Sequence, residues 1–374
     1  MTFGKRICGT TADRRDRMTP NDRLASIQYL RALAALMVVA YHVLGDVAVI
    51  GAAGVDVFFV ISGLVIAMVT ASKPVRPMVF AYDRVARILP LYWLFTALLV
   101  ATKLLAPDLL PRLPLDTGWI VSSFLLIPTV VPGTADRFPF LYQGWTLWFE
   151  ALFYLLVLAA MLVSRRRKAV ILSLVLLALV ATGAMLDPQG PVGISFTSPL
   201  LLEFLAGYLF GTWRQAGGRL PAASGLLLVG IGLLGFIAAA GFAGAPEGWP
   251  RILWWGLPAL ALVTGAVILD DSRRIGAHAF PLLLGDASYA VYLSHGIAIS
   301  VLSLASRRAG WATGTALDQP FLALATGMAA VAVGVGVHLI FEKPLMRFLR
   351  GVRPRLLPPV AAGIGGIPVP SGER

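Results

Sequence analysis

"WIVSSFLLIPTVV", residues 119–131, decides how many times this chain can cross a membrane. The stretch is apolar but only 13 residues long, with proline and glycine close by on either side. A helix needs about 20 apolar residues to span the hydrocarbon core, so this one reads as an interfacial or re-entrant piece. Around it the apolar runs are longer. Ten reach spanning length or come close to it: 27–49, 53–72, 88–106, 144–163, 169–186, 198–213, 221–241, 251–269, 280–305 and 319–341. The expected fold is all-α, a polytopic membrane helix bundle of about ten transmembrane helices.

Charge supports that count. With ten spans and a cytoplasmic N-terminus, Lys and Arg divide 24 inside to 6 outside, and Arg31 falls within the first span. Such asymmetry is the positive-inside pattern. Promoting 119–131 to a span would carry "SRRRK", residues 164–168, to the outside and spoil it. Both termini are therefore expected in the cytoplasm, and the protein in the cytoplasmic (inner) membrane of a bacterium. Residues 1–26 read as a basic cytoplasmic segment rather than a cleaved signal, 27–350 as the membrane domain, and 351–374 as a Pro/Gly-rich cytoplasmic tail expected to be disordered.

Composition narrows the functional classes. The chain is 58% hydrophobic and 13% charged over 374 residues, whereas a soluble domain carries about 25% charged residues. A net charge of +12 would suggest nucleic acid in a soluble chain. Here the lipid bilayer is the partner that accounts for it, and no nucleic acid is expected. The single cysteine, Cys8, supplies neither a disulfide framework nor a Cys-rich metal site.

Ionisable residues inside apolar runs mark sites or pathways. Arg31 and His42 are eleven residues apart in the first run. That spacing is about 20° past three helical turns, so both share one face, about 16 Å apart along the axis. Alone, Arg31 also reads as a snorkelling arginine and His42 as a packing histidine. Glu150, Glu203 and His295 fall at depths similar to His42 in three other runs. Glu203 is equally readable as a carboxylate paired with a neighbouring helix. Arg84 and Arg87, at i and i+3 before the third run, are neighbours on a helical turn. Paired guanidiniums suit phosphate, although positive-inside decoration explains them as simply. Ser62–Gly63 in mid-span allows either close helix packing or a helix break.

Taken in order, these elements resemble the integral-membrane acyltransferase family 3, bacterial O-acyltransferases of O-antigen, exopolysaccharide, Nod factor and peptidoglycan. The resemblance rests on Arg31-x10-His42, "VDVFFVISGL" (55–64), Arg84-x-x-Arg87, "WTLWFEALFYLL" (145–156) and "SYAVYLSHG" (288–296), and covers roughly 26–350. Leu64 departs from the Phe that many members carry after Ser-Gly. The opening "SIQYLRALAALMVVAYHV" (26–43) most resembles succinoglycan-type exopolysaccharide acetyltransferases.

The resemblance implies transfer of an acyl group, acetyl above all, from cytoplasmic acyl-CoA to a hydroxyl of a carbohydrate or glycolipid acceptor, with His42 as the key catalytic residue. Acyl-CoA is then a donor substrate rather than a tightly bound cofactor. Arg84, Arg87 and Arg31 would hold its phosphates. Neutral His42 would take the proton of the attacking hydroxyl, with an acyl-His intermediate as the other possible course. Glu150 would orient the imidazole, and Asp46, four residues after His42, is a rival for that duty. A thioester is already activated, so no metal is required. Trp145 and Trp148 are candidates for the acceptor path or for the interfacial belt. His295 is a second candidate for acid–base or acceptor contact, Tyr292 a further candidate site residue, and His338 and Glu342 read as structural. Polysaccharide-synthesis machinery or a second copy of the chain are candidate partners. The alternative is a transporter or flippase for a glycan or lipid precursor, without acyl-transfer chemistry.

Overall fold

The computed structural model describes residues 24–71, 75–241, 244–272, 275–311 and 318–356, with side chains to 353. Nearly all of the basic N-terminal segment, with Cys8, and most of the Pro/Gly-rich tail lie outside the described residues. The chain is helical, with no strand among the described residues. Its helices are α1 (Ala25–Leu44), α2 (Gly54–Ala71), α3 (Pro77–Leu105), α4 (Thr117–Phe124), α5 (Trp145–Val163), α6 (Lys168–Leu186), α7 (Pro191–Phe196), α8 (Leu201–Gln215), α9 (Ala222–Ala239), α10 (Gly248–Arg251), α11 (Leu257–Asp271), α12 (Ala279–Arg308), α13 (Pro320–Val337) and α14 (Lys343–Leu356). A 3-10 stretch, Gly45–Ala53, follows α1, and π-helical stretches occupy Ile252–Gly256 and His338–Glu342.

Nine helical segments among the described residues are long and apolar enough to cross a membrane. The first, Ala25–Ala71, is 47 residues long and contains two of the ten expected spans. Gly45, at φ +59°, ends α1 in a conformation glycine adopts without strain. The 3-10 stretch then runs back along α1. A Cβ on Gly51 would meet the Met37 carbonyl and Tyr41, and one on Gly54 would meet the Ala34 carbonyl. Later residues thus face earlier ones, so the 47-residue run is a hairpin of two antiparallel passes. The first helix stops at Leu44 instead of the expected 49, which puts His42 in its last turn.

Residues 119–131 do not span. Asp116 caps α4 by accepting from the Trp119 N–H at 2.7 Å. Beyond α4 the chain folds back on itself. The Trp119 indole is buried against Phe140 and donates to the Phe138 carbonyl at 2.9 Å. The Ser123 hydroxyl accepts from the Phe140 N–H at 2.8 Å, and the Tyr92 hydroxyl of α3 donates to the Ser123 carbonyl at 2.8 Å. Irregular backbone is acceptable here because these side chains and amides satisfy it.

Two expected ends were too short. α3 begins at Pro77, well before residue 88, and carries Arg84 and Arg87. α14 continues to Leu356, through the first residues of the tail expected to be disordered. Hydropathy bounds the apolar stretch, whereas the helix persists for as long as its backbone hydrogen bonds do.

The chain divides into two compact units. One comprises residues up to Ala67 with Leu202–Tyr289 and Ala305–Gly327; the other comprises Met68–Leu201, Ala290–Leu304 and the chain from Met328 onward. In the first unit, α2 and α8 meet through glycines. A Cβ on Gly63 would strike the Phe204 carbonyl, and one on Gly207 would strike the Val60 carbonyl. Gly207 and Gly211 form the small-xxx-small spacing that lets helix backbones approach in lipid. Arg214 and Asp271 pair where α8 meets α11, Nε to Oδ2 at 2.7 Å. In the second unit, α14 is tied to α3 by Arg353–Asp83 at 2.9 Å and by the Tyr82 hydroxyl donating to the Leu349 carbonyl at 2.8 Å. Lys168 donates to the Thr70 carbonyl at 2.6 Å, satisfying one acceptor at the C-terminus of α2.

Candidate functional site

In the first unit, α1 is one uninterrupted helix holding both Arg31 and His42. The imidazole is half-buried and lies edge-on to Tyr41, ring centroids 5.0 Å apart. Its Nδ1 is 2.9 Å from the Val38 carbonyl, one turn back. A carbonyl can only accept, so Nδ1 carries the proton and Nε2 is the basic nitrogen of the neutral ring. The Val38 carbonyl therefore sets the tautomer. Asp46, the rival orienting carboxylate, is exposed on the 3-10 stretch. Arg31 donates from Nε to the Ser288 hydroxyl at 3.2 Å, joining the first and last of the quoted sequence blocks.

Ser62–Gly63 lies within a continuous α2, so of the two readings close packing holds and the helix break does not. The same helix brings an ion pair that the sequence reading passed over. Asp56, fully buried, accepts both Nε and Nη2 of Arg251, at 3.0 and 2.8 Å. The Arg251 guanidinium lies 5.0 Å from the Trp255 ring centroid. Glu203 is buried beside Asp56 and Arg251, and its carboxyl fills the space that a Cβ on Gly256 would take. Asp56 stands in "VDVFF" as plainly as His42 stands in its own run. The rule that flags intramembrane charge applies to it and to Arg251 alike.

In the second unit, Arg84 and Arg87 share a face of α3 and are held differently. The Arg84 guanidinium lies 5.9 Å from the Phe80 ring centroid and 5.8 Å from that of Tyr154, within cation–π range. Its Nε is buried without a hydrogen-bond partner. The Tyr154 hydroxyl in turn donates to Glu150, so Glu150 reaches the Arg84 neighbourhood through one phenol. Arg87 donates from Nη1 to Glu342 Oε1 at 2.9 Å, and Glu342 Oε2 lies 2.7 Å from His338 Nδ1.

The remaining candidates of this unit form a polar seam at the start of α5. The Tyr292 hydroxyl is 3.0 Å from the Thr146 hydroxyl and 3.2 Å from the Gln143 carbonyl. His295, fully buried, points Nδ1 at the Tyr292 carbonyl at 2.6 Å. Its other nitrogen is then the acceptor of the neutral ring. A Cβ on Gly296 would displace Gln143, so glycine there is what admits that amide. Trp145 is half-buried, edge-on to Phe149 at 6.1 Å. Trp148 is buried with its indole N–H unpartnered. Gln143, Thr146 and Tyr154 were not singled out from sequence; Gln143 and Thr146 meet Tyr292 of another helix, and Tyr154 meets Arg84 of α3.

Chemically, the first unit offers an imidazole of fixed tautomer. The second offers two arginines on one helical turn beside an acid–histidine pair. The acyltransferase-domain model of acyltransferase family 3 matches residues 24–341. Exopolysaccharide production protein ExoZ of Rhizobium meliloti (strain 1021) is 37% identical over 317 residues, covering 85% of this chain and 94% of the relative. Acyltransferase MdmB of Streptomyces mycarofaciens is 28% identical, covering 89% of this chain and 94% of that protein. No solved structure matches the chain significantly.

Proposed function

Since the chain belongs to acyltransferase family 3, and is thus a multi-pass membrane acyltransferase, we propose that it moves an acetyl group from acyl-CoA to a hydroxyl of an exported carbohydrate. The donor is taken from the cytoplasm, across the inner membrane of a bacterium, with both chain termini on the cytoplasmic side. The exopolysaccharide acceptor class follows the printed name of the 37% relative.

The observation that carries the mechanism is the contact of His42 Nδ1 with the Val38 carbonyl. It presents Nε2 as a base of fixed tautomer and direction. Nε2 takes the proton of the acceptor hydroxyl as that oxygen attacks the thioester carbonyl. The C–S bond then breaks, and the leaving thiolate takes the proton back from the imidazolium, so atoms and charge balance. General-base help of this kind is worth about 10²–10⁴-fold. Arg84 and Arg87 hold the donor phosphates, and the buried, unpartnered Nε of Arg84 supports that assignment by having a donor to offer. Arg31 is a third candidate for the donor. Tyr292 and His295 are assigned to the acceptor side.

Acyl transfer from radiolabelled acetyl-CoA in reconstituted protein tests this reading. Wild-type protein is expected to turn over the thioester. His42→Ala should lose that activity by about 10²–10⁴-fold while the protein stays folded. Turnover indifferent to His42, Arg84 and Arg87 together would overturn both the mechanism and the donor site.

A further inference from the structure

Glu342 and His338 lie at the two ends of one π-helical stretch, 255 residues from Arg87 in sequence, and close on it through space. Each carboxylate oxygen has a different donor: Arg87 Nη1 on Oε1 at 2.9 Å and His338 Nδ1 on Oε2 at 2.7 Å. The acid and the histidine are sealed, at 3% and 9% side-chain exposure, whereas Arg87 is open at 27%. The cluster therefore has a fixed inner end and an accessible outer end, and the accessible end is the cation.

A purely structural bridge would have little left to do here. Arg353–Asp83 and Tyr82–Leu349 already tie α14 to α3. What Glu342 adds is a single direction for a long side chain. An arginine held in one rotamer loses less freedom when it binds than a loose one does. Its neighbour Arg84 is held as well, between the Phe80 and Tyr154 rings. With both guanidiniums held, the angle between them is set before any ligand arrives, which is what a dianionic phosphate requires.

We propose that Glu342 and His338 are positioning residues for the acyl donor. Glu342 holds the Arg87 guanidinium toward the donor phosphates, and His338 holds Glu342 in the rotamer that does so. This rests on the reading of Arg84 and Arg87 as the donor site. Neither Glu342 nor His338 touches the reacting atoms, so they act on donor binding and leave the chemical step alone.

Kinetics of reconstituted protein with acetyl-CoA test it, using Arg87→Ala, Glu342→Gln, the double variant and His338→Gln. Glu342→Gln is expected to raise the donor KM roughly tenfold, the scale of one hydrogen bond to a charged group, with kcat within about twofold of wild type. His338→Gln gives a smaller rise of the same kind. The double variant should be no worse than Arg87→Ala alone, because Glu342 acts through Arg87. KM effects that multiply in the double variant, or a Glu342→Gln variant that loses kcat and thermal stability with KM unmoved, would reduce the cluster to a structural bridge. If Glu342→Gln does not fold, His338→Gln carries the test, and an unmoved donor KM there overturns the proposal. An Arg87→Ala variant with wild-type donor KM would break the donor-site reading itself, and is distinguishable from a failure of Glu342 alone.

Discussion

Two ion clusters, one in each unit, flank the two π-helical stretches and are built differently. Both stretches come just before a proline. The Leu257 N–H reaches back to the Ile252 carbonyl ahead of Pro258, and the Lys343 N–H to the His338 carbonyl ahead of Pro344. A proline within a helix lacks its own N–H and crowds the carbonyl four residues back, and one wider turn takes up the misfit. Around the first stretch, Arg251 is forked onto a fully buried Asp56 and stacked on Trp255, with Glu203 buried beside them. Around the second, one carboxylate serves an arginine and a histidine, and the arginine is the exposed member. In both the acid is sealed, and the cation is the more exposed member, Arg251 at 12% and Arg87 at 27%. A sealed bidentate pair holds helices together, whereas a cation anchored from behind is placed to meet something else.

Four substitutions test that contrast. Asp56→Ala should have the largest effect, because it strands a buried guanidinium, at a cost of about 3–5 kcal/mol. Loss of monodisperse protein in detergent and a lowered Tm would be the readout, and Arg251→Leu in the same background should recover part of it. Gly63→Ala comes next, since the added Cβ strikes the Phe204 carbonyl and forces apart the α2–α8 seam that carries Asp56. About 1–3 kcal/mol is expected from such overpacking, visible as a Tm shift without a change in donor KM. Arg84→Ala, in the other unit, should do the reverse: donor KM up roughly tenfold with Tm nearly constant. A Tm fall as large as that of Asp56→Ala would erase the distinction between the clusters. The smallest effect belongs to Glu203→Met. Replacing this buried acid by an apolar chain of similar length should leave stability unchanged or raise it by about 1 kcal/mol, read as an unchanged or slightly raised Tm. A large loss of stability would mean that Glu203 completes the Asp56–Arg251 cluster.

Glu150 shows how far the candidate site was legible in the sequence. Its place in an apolar run marked it as a candidate. In the folded chain the Tyr154 hydroxyl donates to it, and Arg84 lies against the same phenol ring. On its own helix, His42 Nδ1 lies 2.9 Å from the carbonyl of Val38, four residues back. That contact was available to sequence reasoning, because a histidine in the last turn of a helix has the i−4 carbonyl within reach. It was missed because the first span was drawn to 49 and the helix ends at Leu44. Gly45, Gly51 and Gly54 were the signals for that early turn. His338 and Glu342, read from sequence as structural, are four residues apart and did not reveal their third member.

By itself the sequence determined that this is a membrane protein, where its ten apolar runs lie, and that 119–131 cannot span. It also determined the family, through blocks that are each contiguous. These properties are sums over neighbouring residues, and transfer into lipid depends on little else. Only the tertiary structure decided that the first helix stops at Leu44 and a 3-10 stretch returns along it, that Asp56 takes Arg251 across 195 residues, and that Arg87 takes Glu342 across 255. Burying a charge in an apolar bundle is so costly that each must find a partner. Which partner it finds is set by helix packing, and helix packing here is set by where glycine lets two backbones touch.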